Sequence, residues 1–204
     1  MKLKVIFIVF FSLSLLNVGA KSVAEMFESM PDSLMPYVSN EQRVDLVNMK
    51  NIDPTTPAKL NTMLKADIVM DSLSEDRMKI IAGTVRYDMI RLQMNGRSDS
   101  IYCVLCTVST PVKETTCTLY DDAWNVVGYI DLCDVVKRSF EGNVDDMQTF
   151  EKMEIPAVEA LMENDNMTLS IELRDALPLK EENNDSNVVL QRKLKWNGKS
   201  FKEC

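Results

Sequence analysis

The sequence contains no histidine among its 204 residues. Without an imidazole there is no Ser-His-Asp or Cys-His catalytic group, no histidine-rich zinc site and no histidine proton shuttle. A pair of carboxylates or a lysine base is what remains for hydrolysis. The adjacent acids Asp121-Asp122, Asp145-Asp146 and Glu181-Glu182 are typical of solvated loops, and "ENDNM" and "EENNDS" lack the spacing of a calcium loop. The sequence therefore predicts no catalytic residue, no cofactor and no metal.

Long apolar runs are also absent, except at the N-terminus. Residues 1–20 read "MKLKVIFIVFFSLSLLNVGA", with two lysines, a brief apolar region and small residues before the expected cleavage point. This pattern predicts a secretory signal peptide and a mature chain that starts at Lys21. The first cysteine is Cys103, so the thiol that a bacterial lipoprotein anchor requires is missing. We expect a periplasmic or extracellular protein that does not insert into a membrane.

The predicted mature chain, residues 21–204, carries 21 basic and 31 acidic residues, a net charge of −10. This charge disfavours nucleic acid and anionic membranes as partners. The whole sequence is 46% hydrophobic, and the mature length suits a single exported domain. Two loosely similar halves, 21–130 and 131–204, are an alternative, although no internal sequence identity supports a repeat.

Helical signals open the mature chain. Ser22 with Glu25, and Ser39 with Gln42, have the spacing of capping boxes. Apolar residues then share one helical face at Val23, Met26, Phe27 and Met30. A methionine-rich face can bind partners, but Met26 and Met30 fall on the stripe that is expected to be buried, which favours a role in the core.

From about residue 58 to residue 129 the apolar period changes to two. Six strand-length segments with short links predict an antiparallel meander: "DIVMDSL", "RMKIIAG", "TVRYDMIRLQM", "SIYCVLCTVS", "TTCTLYD" and "WNVVGYI". Helical signals return between residues 132 and 163, where Asp131 is a candidate cap and Pro156 a candidate first residue of a helix "PAVEALM". Two alternating strands follow, "MTLSIELRD" and "NVVLQRKLKW", and Asn197-Gly198 predicts a hairpin turn. The predicted fold class is α+β, with N-terminal helices packed on a mainly antiparallel meander.

The stretch "SIYCVLCTVS" has the Cys-x-x-Cys spacing of a redox motif at Cys103 and Cys106. A thioredoxin-type motif must be followed by a helix, whose N-terminus stabilises the thiolate. Here the β-branched pattern continues to Val108 and Pro111 follows. We interpret the stretch as a strand, on which residues three apart point to opposite faces.

Cys106 has a second candidate partner in Cys117. If "TPVK" closes the hairpin, Thr110 pairs with Lys113 and Cys106 faces Cys117. Export would permit a disulfide between them. The alternative, which we favour, is that Cys103, Cys106, Cys117 and Cys133 are small buried apolar residues. Cys204, at the end of the sequence, is expected to stay free.

Three tripeptides, two "DSL" and one "DSI", look like the Asp-Ser/Thr-apolar acceptor for O-glycosylation of exported proteins in Bacteroides-type bacteria. Their acceptor hydroxyls are those of Ser33, Ser72 and Ser100. A tripeptide motif this short also recurs by chance in unmodified proteins.

The segment "MPDSLMPYVSNEQRVDL", the strand-rich region after it and the closing "LKWNGKSF" resemble a family of exported proteins of unknown function from Bacteroides-type gut bacteria. The resemblance covers nearly all of the mature chain. It implies a location in the periplasm or at the cell surface. It implies no catalytic residue, because the family has no assigned activity.

The leading hypothesis is an exported, non-catalytic binding or structural domain whose partner is another envelope protein or a surface glycan. One alternative is a periplasmic hydrolase, in which carboxylates from distant segments meet in one pocket. Another is a thiol oxidoreductase that acts through Cys103 and Cys106. Buried thiols on opposite faces of a strand would exclude the oxidoreductase.

Overall fold

The computed structural model describes residues 20–61, 67–96, 100–109, 112–164, 167–176 and 190–204. The predicted signal peptide, apart from its last residue, and the polar segment 180–187 lie outside the described residues. Among the described residues, no helix combines the length and the apolar character needed to cross a membrane.

Two helices precede the first sheet, α1 (Val23–Glu28) and α2 (Asn40–Ile52). Both predicted capping boxes are confirmed. The Ser22 hydroxyl accepts the backbone N–H of Glu25 at 3.2 Å, and the Glu25 carboxylate accepts the N–H of Ser22 at 2.7 Å. Ser39 and Gln42 form the same reciprocal pair. The sequence therefore sets the start of each helix locally.

Seven strands form one antiparallel sheet, which we call the large sheet. They are β1 (Ala58–Asn61), β2 (Asp67–Leu73), β3 (Arg77–Ala82), β4 (Val85–Gln93), β5 (Ser100–Val108), β6 (Glu114–Tyr120) and β7 (Val126–Ile130). Their order in the sheet is their order in the chain. The predicted meander is confirmed, with β1 as a strand that was not among the predicted segments.

The rest of the chain contains α3 (Leu132–Ser139), α4 (Val144–Glu151) and four strands that form the small sheet. These strands are β8 (Pro156–Met162), β9 (Thr168–Asp175), β10 (Leu190–Trp196) and β11 (Phe201–Glu203), in the order β11-β10-β9-β8. Asp131 caps α3, since its carboxylate accepts the N–H of Asp134 at 2.9 Å.

The prediction of a helix at "PAVEALM" is wrong, because this segment is β8. Its residues pair with β9 from Pro156 to Met162. Four consecutive residues, 157–160, are buried, so both faces of the strand are covered and no helical stripe is needed. Pro156 is tolerated as the first residue of a strand at the end of the sheet order.

The large sheet separates two apolar cores. On one face α1 and α2 pack through Phe27 and Leu46 against Met70 and Met89. The other face packs against the small sheet and α3, where the buried set includes Leu105, Val136, Leu173 and Trp196. Both faces of β5 are therefore covered, and all of residues 101–105 are buried.

The predicted α+β class, with N-terminal helices on an antiparallel meander, is confirmed. The chain runs through helices, a meander, helices and a second meander. The second core contains residues from both 21–130 and 131–204. The division into two similar halves stays a prediction.

Candidate binding surface

The last strand of the large sheet, β7, has an open edge. It pairs with β6 on one side and stands at the end of the sheet order. No described residue forms a backbone hydrogen bond with its other side. Its sequence, "VVGYI", contains neither charge nor proline, and Val126, Val127 and Tyr129 are 46%, 53% and 77% exposed. An exposed, uncharged strand edge is a template on which another strand can pair.

A groove of about 770 Å³ lies beside this edge, between β7, α3 and the β10–β11 hairpin. Leu119, Ile130 and Phe201 give it an apolar floor. Its exposed charged residues carry both signs, and they are Asp131, Asp134, Glu141, Glu203, Arg138, Lys199 and Lys202. An apolar floor with a charged rim suits an extended polypeptide, which presents apolar side chains and a polar backbone together.

Both ends of β7 are fixed. At its start, Asp121 accepts the backbone N–H groups of Ala123 at 2.9 Å and Asn125 at 2.8 Å. The hydrogen bond from the Asn125 side chain lowers the pKa of Asp121 below its ordinary value, and the backbone N–H groups act in the same direction. At its end, β7 is followed directly by Asp131, the cap of α3. The open edge is thus held in one place.

Trp124 anchors the turn before β7 to the helical layer. Its φ of 64° lies in the left-handed region, which a tryptophan rarely adopts. The indole N–H donates to the backbone oxygen of Met26 at 3.2 Å, and the ring packs edge-on against Tyr120 with centroids 5.2 Å apart. Sequence reasoning missed this anchor. Asp121 followed by Asn125 was the available signal, since such residues favour turns closed by side-chain hydrogen bonds.

Among the described residues, the most deeply buried carboxylates lie elsewhere, between the two sheets. Arg86 bonds Asp88 at 3.0 Å and Glu159 at 3.1 Å, and it donates to the Thr107 hydroxyl at 2.9 Å. Lys113 also pairs with Glu159 at 3.1 Å. Asp88 is 1% exposed and Glu159 5%. Carboxylates that are paired with arginine and shut off from solvent suit a structural junction and not acid–base catalysis.

Among the residues that the structure describes, the acid pairs named from the sequence do not form a shared site. Asp145 and Asp146 lie in the first turn of α4, where Asp146 pairs with Arg192. Glu181 and Glu182 lie outside the described residues. Within the described part of the chain, no group of three cysteine, aspartate or glutamate side chains is placed to hold a metal ion.

The strand interpretation of "SIYCVLCTVS" is confirmed, since it forms β5. Cys103 lies in the core under the small sheet, whereas Cys106 lies on the opposite face beside Tyr87. The hydrogen bond to Cys117, together with burial, raises the pKa of Cys103, and burial also raises that of Cys106. An oxidoreductase needs the opposite shift, toward the thiolate.

The predicted register of Cys106 against Cys117 is wrong by one residue. Cys117 lies opposite Leu105, and Cys106 opposite Thr116. The paired strands end at Val108 and Glu114, so the turn is longer than "TPVK". Cys117 therefore shares a face with Cys103, and the two sulfur atoms lie 3.4 Å apart.

The three candidate glycosylation residues lie apart from one another and from the groove. Ser33 is exposed in the turn between α1 and α2, Ser72 is exposed on β2, and Ser100 is half-buried at the start of β5. Modification of these residues stays a prediction, and an intact mass equal to that of the bare mature chain would contradict it.

The fold and its open edge define an α+β domain with two antiparallel meander sheets. The chain belongs to the family described as "Protein of unknown function (DUF3256)", whose model matches residues 15–201. The resemblance to a family of unknown function is thereby confirmed. No curated protein matches the sequence.

A solved structure has the same overall arrangement. It is described as a domain of an uncharacterized protein from Porphyromonas gingivalis W83, with 20% sequence identity and a TM-score of 0.66. The match covers 91% of this chain and 98% of that one. At this identity the likeness shows the fold alone.

Proposed function

We propose that this protein is an exported, non-catalytic domain that binds an extended segment of another envelope protein along β7. The observation that carries the proposal is the uncharged open edge of β7, which exposes Val126, Val127 and Tyr129. Natural strand edges are normally blocked by charge, proline or a covering segment. An edge without these protections supports strand addition by a partner, which gains backbone hydrogen bonds.

The groove beside β7 supports a protein partner in preference to a surface glycan. Apolar residues such as Leu119, Ile130 and Phe201 line its floor, and side chains of an added strand can reach them. Sugar rings usually stack on aromatic faces, and Tyr129 is the one strongly exposed aromatic residue of β7. The hydrolase alternative has less support, because Asp88 and Glu159 are buried and bonded to Arg86.

Site-specific cross-linking in the native cells tests the proposal. A photoreactive amino acid replaces Tyr129 in one variant and Ile52 in the control. Ile52 is 85% exposed and ends α2, in the layer that covers the other face of the large sheet. We expect a discrete adduct with one envelope protein from position 129 and none from position 52. Equal labelling from both positions, or none from 129, would overturn binding at β7.

A charge placed on the edge provides an independent test. In the Tyr129 cross-linking variant, Val127→Lys should reduce the adduct at least tenfold, because a lysine on the edge opposes strand pairing. Ile52→Lys is the matched control, since it also places a lysine at an exposed apolar position. Both changes should leave the melting temperature nearly unchanged. An adduct that survives Val127→Lys contradicts strand addition.

Export is tested separately by cell fractionation and mass. We expect the protein in the periplasmic or surface fraction, with the intact mass of a chain whose first residue is Lys21. A cytoplasmic chain that retains residues 1–20 would contradict export without bearing on the β7 surface.

A further inference from the structure

Two thiols meet inside the core between the sheets. Cys103 on β5 and Cys117 on β6 have sulfur atoms 3.4 Å apart and are 0% and 3% exposed. They are diagonal neighbours on one face, because Cys103 lies opposite Leu119 and Cys117 opposite Leu105. A disulfide needs a sulfur separation of about 2.05 Å, so the two atoms must approach by about 1.4 Å.

We infer that Cys103 and Cys117 form an intramolecular disulfide in the exported protein. The inference rests on the proposed export for its oxidising environment, and on the sulfur positions for the choice of partners.

The other three cysteines are placed differently. Cys106 lies on the opposite face of the large sheet, next to Tyr87. Cys133 is half-buried in α3, and Cys204 is exposed at the end of the sequence. Among the described sulfur atoms, Cys103 and Cys117 are the pair in direct contact. The geometry therefore selects one bond and leaves three thiols.

The bond must form before the strands close, because both thiols are buried in the folded protein. The oxidant is a disulfide donor, such as oxidised glutathione or a thiol–disulfide oxidase. One cysteine thiolate attacks the donor, forms a mixed disulfide and releases one donor thiolate. The second cysteine thiolate then attacks the first cysteine sulfur and expels the other donor thiolate. The two cysteines lose two protons and two electrons, and the donor becomes two thiols.

A variant with two cysteines isolates the pair. Cys106→Ala, Cys133→Ala and Cys204→Ala are combined, so that Cys103 and Cys117 alone remain. The variant is unfolded in denaturant with reductant and refolded in a buffer of oxidised and reduced glutathione. It is then denatured, alkylated and weighed. We expect a chain lighter by two hydrogen atoms than the reduced form, with no alkylated cysteine. A refolded chain with two alkylated thiols overturns the pairing.

A matched variant controls for chance pairing. It retains Cys106 and Cys117 and replaces Cys103, Cys133 and Cys204 with alanine. We expect this chain to refold with two free thiols, because its cysteines lie on opposite faces. Equal disulfide formation in both variants would overturn the claim that the fold selects Cys103 as the partner of Cys117. In the Cys103/Cys117 variant, reduction should lower the melting temperature by about 5–10 °C, since the bond closes a loop of about 15 residues.

The full-length protein from native cells gives the second readout, after its free thiols are trapped by an alkylating agent under denaturing conditions, which expose the buried Cys103 and Cys117. Three alkylated cysteines and one internal bond support the inference in the cell. Five alkylated cysteines in this sample would show that the bond is absent in the cell, even if it forms in the refolding experiment, and would overturn the inference for the native protein. Fractionation of the same sample then shows whether export itself has failed.

Discussion

Arg86 on β4 and Glu159 on β8 are 73 residues apart in the chain and form an ion pair at 3.1 Å between the two sheets. Around them, the Thr107 and Thr115 hydroxyls lie 2.8 Å apart, and Thr115 accepts the backbone N–H of Ala160 at 3.0 Å. These buried polar groups find their hydrogen-bond partners in one another when β8 lies against the large sheet. The junction therefore fixes how β8 sits on the large sheet.

Arg86→Met should lower the free energy of unfolding by about 3 kcal/mol, the lower end of the cost of breaking a buried ion pair, because Asp88 and Glu159 lose their shared cation and keep only Arg77 at 3.5 Å and Lys113 at 3.1 Å. Urea denaturation measures the loss. Arg138→Met is the control, since Arg138 pairs with Asp134 at 2.9 Å on the surface, and its loss should cost under about 1 kcal/mol. Similar losses in the two variants would contradict a structural role for the junction.

Lys50 is a buried cation held by carbonyl groups. Its ammonium donates to the backbone oxygens of Pro54 at 2.9 Å, Thr56 at 3.1 Å and Asp71 at 3.1 Å. Lys50→Met should cost about 2–4 kcal/mol, because it leaves buried acceptors without a donor. Lys59→Met, at an exposed position on β1, should change stability little. An equal shift of the urea denaturation midpoint in Lys50→Met and Lys59→Met would refute a stabilising role for the Lys50 hydrogen bonds.

Gly198 has a φ of 86°, and a methyl group there would overlap the side chain of Asn95. Asn95 also donates its backbone N–H to the Gly198 oxygen at 3.1 Å. Gly198→Ala should cost about 2–3 kcal/mol, through backbone strain and the clash together. Gly83→Ala isolates the strain, since Gly83 has a φ of 61° and open space around it, and should cost about 1 kcal/mol.

The double variant Asn95→Ala/Gly198→Ala completes the comparison. Removing the Asn95 amide should relieve the overlap and recover part of the loss seen with Gly198→Ala. If the double variant is as unstable as the sum of the two single ones, the clash is not the cause.

The pKa of Asp53 is lowered from 3.8 to about 2, chiefly by the hydrogen bond from the Thr55 hydroxyl and then by Thr56. Because the folded-state pKa is the lower one, the stabilising contribution is present above about pH 4 and is lost as the pH falls toward 2. A pH titration of the NMR chemical shift of the Asp53 carboxyl carbon should have its midpoint at about 2. Thr55→Val should raise it toward 3.8, and Thr55→Ser, which keeps the hydroxyl, should leave it near 2.

Local signals in the sequence predicted the elements that are stabilised locally. The capping boxes at Ser22 and Ser39 and the alternation of β9 each involve residues close in the chain. β8 was missed because alanine, glutamate, leucine and methionine favour helices. Packing between β9 and the large sheet overrides that preference, and this contact is not visible in the segment itself.

The groove could not be predicted from any one segment. Its lining comes from β7, α3 and β11, so Tyr129 and Phe201 line the same groove only because of the fold. The cysteine register failed for a related reason. A turn one residue longer than expected moves each strand residue to a new partner, and this replaced Cys106 by Cys103 beside Cys117.

Every strand in both sheets pairs with a strand next to it in the chain. Closing each hairpin therefore joins segments that are already near, and the entropy lost in loop closure is small at every step. Such a chain has few long-range pairings to find before its hydrogen bonds form, which favours rapid assembly. We expect the docking of the small sheet to come late, since it brings Glu159 back to Arg86 from 73 residues away. During synthesis from the N-terminus, the seven strands of the large sheet can therefore pair in chain order before the four strands of the small sheet have been made.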